Sequence, residues 1–147
     1  MNAHEFFAQA AHRELEAEAF YWKHIGLALA QRDLGASDFF YRMSDFRRLQ
    51  REAIAKQTGF KDVLQFGWSK EGGRDNSGVT LEAGATTFGL NEAMDIALST
   101  ELRDLAFYQK VALTADDAQI SRLAEGLATE HRRQVLAVER YMGQKPY

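Results

Sequence analysis

The only proline in this 147-residue chain is Pro146, so no interior position forbids a long helix. Apolar residues recur every three or four positions over most of the chain, the spacing of one face of an α-helix. Four helices follow from that spacing. The first runs from about Ala3 to Arg32 and stops near Gly35. The second opens after Ser37, a good N-cap residue, and ends before Gly59. The third runs from near Asn91 to around Leu113. Thr114 and Asp117 then resemble a capping box opening the fourth, which Gly143 terminates. The helices pair in sequence as two hairpins, over about 3–58 and 91–142, within a single domain spanning 1–147.

The segment from about 59 to 90 has a different character. It holds Gly67, Gly72, Gly73, Gly78, Gly84 and Gly89, a loop composition. A helix of about 26 residues spans roughly 39 Å, a length that about 12 extended residues retrace. This segment has more than twice that, and reads as a long crossover linker. Val63, Leu64, Phe66, Trp68, Val79, Leu81 and Phe88 give it an apolar content that argues for packing on the helices or on a partner.

Composition removes several classes of function. With no cysteine there are no disulfides, thiolate metal sites or thiol catalysis. A net charge of −3 provides no global field for nucleic acid, although Arg42, Arg47, Arg48 and Arg51 cluster locally. Of these, Arg48 and Arg51 are expected to point away from the core. GWSKEGG in the linker lacks the spacing and the context of a phosphate-binding loop. The N-terminal MNAHEFFAQAAHRELEAEAF breaks its apolar residues with charges and does not read as a signal peptide. No run of eighteen apolar residues occurs anywhere. The expectation is a soluble cytoplasmic protein without a membrane or nucleic-acid partner.

The two hairpins repeat one another. Residues 14–21 read ELEAEAFY and residues 101–108 read ELRDLAFY, five identities in eight at an offset of 87. On the partner helices, MSDFRRLQREAI from Met43 aligns with LATEHRRQVLAV from Leu127, with Arg48 matching Arg132 and Gln50 matching Gln134. A duplicated hairpin is the simplest reading. Helical stepping aligns Phe7, Ala10, Glu14, Ala17 and Tyr21 on the first helix and Met94, Ala97, Glu101 and Tyr108 on the third. It aligns Phe40, Met43, Arg47, Gln50 and Ile54 on the second, and Ile120, Ala124, Leu127, His131, Gln134, Val138 and Tyr141 on the fourth. All four apolar stripes therefore carry polar residues at their centres.

This pattern resembles the ferritin-like superfamily, and within it the rubrerythrin-like di-iron carboxylate proteins, across both hairpins but not the linker. The resemblance implies an all-α, ferritin-like four-helix bundle. It also implies a glutamate on the first helix of each hairpin with a tyrosine seven residues later, and Glu-x-x-His on the second helix, together binding two metals. Glu14 with Tyr21 and Glu101 with Tyr108 match the first element. The second is absent: Arg47-x-x-Gln50 and His131-x-x-Gln134 stand in its place.

Two buried carboxylates without counter-charge are costly and tend to protonate. Arg47 opposite Glu14 and His131 opposite Glu101 supply that charge, with Gln50 and Gln134 satisfying remaining lone pairs. The expected site is thus a core polar network of Glu14, Tyr21, Arg47, Gln50, Glu101, Tyr108, His131 and Gln134, with no cofactor. The alternative is a single iron or manganese ion held by Glu14, Glu101 and His131, in a metal-dependent oxidoreductase or peroxidase. A third reading is an iron-storage assembly. A homodimer or another protein partner is expected. Glu16, Glu18, Glu125, Glu130, His4, His12 and His24 are read as solvated or boundary residues.

Overall fold

The computed structural model describes residues 1–58 and 89–144, and every regular element among them is a helix. Helix α1 covers Ala3–Ala30, α2 Leu34–Thr58, α3 Leu90–Thr114 and α4 Ala118–Gln144. The linker expected over about 59–90 lies outside the described residues except for its last two. The chain divides into two compact units, one over 2–90 carrying α1 and α2, the other over 91–147 carrying α3 and α4. None of these helices is long and apolar enough to cross a membrane.

Helix α1 opens on a capping box. The Asn2 side chain accepts from the Glu5 amide at 2.8 Å, while the Glu5 carboxylate accepts from the Asn2 amide at 3.0 Å. It ends earlier than its apolar spacing suggests. Arg32 takes the left-handed conformation, φ 59°. That bend lets the Arg32 amide donate to Leu29 O at 3.0 Å and the Asp33 amide to Ala28 O at 2.9 Å, a Schellman closure of the carbonyls α1 leaves unpaired.

Asp33 then starts α2, its carboxylate accepting from the Ala36 amide at 2.9 Å. Gly35 and Ser37 therefore sit inside α2 and are neither stop nor cap. The closure leaves only Gln31, Arg32 and Asp33 between the helices, and an acidic cap lies nearer the bend than Ser37 does.

The second turn is also shifted by a competing hydrogen bond. Thr114 is the last residue of α3, its hydroxyl donating back to Lys110 O at 2.7 Å, and it does not take the N-cap position of α4. Asp117 is the cap, accepting from the Gln119 amide at 2.8 Å. Ser121 ties the two helices together by donating to Ala112 O at 2.6 Å. Gly143 lies within α4, which continues to Gln144.

Each hairpin buries one face of each helix. On α1 this face holds Phe6, Ala10, Glu14, Ala17, Phe20, Tyr21, His24 and Ala28, against Ala36, Phe40, Met43, Arg47 and Ile54 on α2. Phe6 takes the fully buried position expected of Phe7, which is half-buried. On α3 the buried face holds Met94, Ala97, Glu101, Asp104 and Tyr108, and on α4 Ile120, Ala124, Leu127, His131 and Val138.

The helix geometry makes two substitutions informative. Left-handed backbone costs an L-residue about 1–2 kcal/mol, of which glycine's extra chain entropy returns roughly half. Arg32→Gly should therefore stabilise by about 0.5–1 kcal/mol, seen as a higher melting temperature. Gly126 lies within α4 with no atom within 4 Å of a Cβ added there. Gly126→Ala should add a similar amount, because alanine loses less entropy in a helix interior. A lower melting temperature in either variant would contradict the local geometry described above.

Candidate functional site

The sequence places Glu14 in the middle of α1, with Ala10 and Ala17 one turn to either side. These small side chains let α2 approach, and Arg47 of α2 meets the carboxylate. Arg47 Nη1 donates to Glu14 Oε1 at 3.0 Å, and neither side chain has any exposure to solvent. Tyr21 is fully buried two turns along α1, its ring 6.3 Å from that of Phe40. Gln50 is half-buried.

A second ion pair joins the same two helices. Arg51 Nη2 donates to Glu18 Oε1 at 2.6 Å, with side chains only 11% and 19% exposed. This corrects one expectation, since Arg51 was expected to point away from the core, while Glu18 is the boundary residue expected. The arginine stem is long enough to lie along apolar surface and carry its head to an anion on the neighbouring helix.

The other arginines of the cluster are also compensated. Arg42 binds Asp38, and Arg48 bridges Asp45 at 2.7 Å and Glu52 at 2.9 Å. Those two hydrogen bonds, reinforced by the charge of Glu52, raise the Arg48 pKa above its ordinary value. All four cluster arginines thus have carboxylate partners within their own hairpin, and their charge is largely compensated.

The second hairpin repeats the arrangement with a different cation. Glu101 on α3 and His131 on α4 are fully buried, with His131 Nδ1 donating to Glu101 Oε1 at 3.1 Å. Tyr108 lies flat on the imidazole, ring centroids 5.1 Å apart and planes 18° from parallel. Gln134 is half-buried, as is Tyr141. The structure thus brings Glu14 to Arg47, and both Glu101 and Tyr108 to His131.

Two buried ionisable residues escape the sequence reading. His24 is 1% exposed and Asp104 is 2% exposed. Both continue the helical stepping through neighbours that were identified: His24 follows Tyr21 by three, and Asp104 follows Glu101 by three and precedes Tyr108 by four. That spacing is the signal. Charged or titratable residues are so often solvated that stepping alone outweighs the prior only when a partner is visible.

A two-metal carboxylate centre of the resembled kind needs several anionic oxygens and imidazoles to balance the ions. In the first hairpin one oxygen of Glu14 is bound to a guanidinium, and Arg47 and Gln50 occupy the positions where Glu and His are implied. These residues do not fit such a centre. Among the described residues no group of three or more His, Asp or Glu side chains is placed to hold a metal ion. No protein-family model, curated protein or solved structure matches this chain.

Breaking a buried ion pair strands the remaining charge, at about 3–5 kcal/mol, whereas replacing both partners by apolar groups is often neutral. Urea denaturation should show Arg47→Met destabilised by about that amount. Arg47→Met combined with Glu14→Leu should recover most of the loss. A single variant as stable as the parent would remove the pair from its proposed role.

Proposed function

We propose that this chain is a ferritin-like helical module that serves as a binding or structural unit and is not a di-iron enzyme. One observation carries the reading: the carboxylate that would be a metal ligand in a di-iron relative is engaged by a permanently charged arginine, with both groups shut away from water. Arginine keeps its proton at any physiological pH, so it cannot step aside for a divalent ion. The partner of such a module is a second copy of the chain or another protein. Function resides in sites and not in folds, so this reading stands or falls on the chemistry around Glu14 and Glu101.

A second reading has its own observation. Glu101 and His131 are a carboxylate and an imidazole within hydrogen-bond distance, two donor types that suit iron or manganese. If Glu14 joined them, the chain would be a single-metal oxidoreductase or peroxidase with a remodelled site. No comparable observation favours iron storage.

Metal content separates the two readings. Protein purified without chelator should carry only substoichiometric iron, manganese and zinc by mass spectrometry, and EDTA should leave its melting temperature unchanged. One ion per chain, lost in His131→Ala, would replace the proposal with the single-metal reading.

A further inference from the structure

The core of the first hairpin holds a histidine with one ring nitrogen unused. His24 Nδ1 lies 2.8 Å from the carbonyl oxygen of Phe20. A peptide carbonyl can only accept, so Nδ1 carries the proton and Nε2 of the neutral ring is the bare nitrogen. Nε2 is buried and has no hydrogen-bond partner among the described residues. The ring lies against Phe20, centroids 4.3 Å apart, and across the helix interface against Phe40 at 5.6 Å. Tyr21 extends this aromatic cluster toward Phe40.

Among the described residues of this hairpin, no charged group is hydrogen-bonded to the ring to hold a second proton. On its own helix Lys23 repels one. On α2 the facing group is Phe40. The acids of α2's first turns are committed, Asp33 to the Ala36 amide and Asp38 to Arg42. Burial pushes the His24 pKa below its ordinary 6.5, the bond to Phe20 pulls it back in part, and Lys23 lowers it further.

We propose that His24 is an acid-operated latch on the closed end of the first hairpin. A proton taken up at Nε2 becomes a buried N–H without an acceptor among the described residues, in a ring packed against Phe20 and Phe40, and α1 and α2 separate there to let water solvate it. The position suits the role, because His24 and Phe40 lie close to the three-residue turn, where the helices part without disturbing the Glu14–Arg47 pair. The sign follows from linkage. The open state, with an ordinary histidine, binds more protons than the closed state, so closure is fully favoured above pH 6.5 and weakens as pH falls below it. One proton allows at most about a tenfold change in the opening equilibrium per pH unit.

Amide hydrogen exchange on the full chain tests the latch, with rates divided by their intrinsic values at each pH. In the wild type, exchange in residues 20–40 should rise as pH falls below 6.5, by up to about tenfold per unit. In His24→Phe it should stay flat there, because phenylalanine keeps the aromatic packing and cannot be protonated. Nitrogen NMR of the wild-type ring provides a reading that does not depend on the variant folding. The proton should reach Nε2 only as the local exchange rises. An equal pH dependence in both proteins, or a ring that protonates while residues 20–40 remain protected, would overturn the proposal.

Discussion

A carboxylate and a guanidinium, both sealed from water, are the constraint on which the first hairpin depends. Each ion alone would carry a desolvation penalty of several kcal/mol, and their attraction offsets it only when the geometry is held. The Glu14–Arg47 contact therefore acts less as a source of stability than as a condition on register. Sliding or rotating α2 past α1 by one residue would break this contact between two buried charges. The apolar contacts around it, Tyr21 on Phe40 among them, are less directional and tolerate such a shift better.

The two hairpins share a frame and differ in chemistry. Glu14 and Glu101 occupy equivalent places, each fully buried, each followed by a buried tyrosine two turns later. Their cations are not equivalent. Arg47 is permanently charged, while His131 presents a flat imidazole ring on which Tyr108 stacks. The duplicated pattern thus sets a guanidinium against the glutamate in one copy and an imidazole in the other. His24 is a further buried titratable residue, and its corresponding position in the second hairpin is Val111, which does not titrate.

Helix existence was legible from the sequence because the apolar repeat is long and uninterrupted by proline. The turns were not, for local reasons. A left-handed arginine replaced the expected glycine stop, Asp33 outcompeted Ser37 as a cap, and Asp117, not Thr114, capped α4. Each is a choice between two hydrogen-bonding options of similar worth, which spacing alone does not rank. The buried glutamates could be read because duplication points to them twice. The Glu18–Arg51 pair could not, since the side-chain reach that unites them depends on how close the helices come.

By itself the sequence determined that the chain is helical, that it carries one hairpin pattern twice, and that both copies place a glutamate on an apolar stripe. These follow from periodicity and from residue identity, which are local properties. Which cation answers each glutamate, which arginines turn inward, and that His24 is buried with a bare nitrogen were decided by tertiary structure. Those outcomes depend on the separation and relative rotation of two packed helices. A displacement of an ångström or two there changes whether a charge meets a partner or meets water.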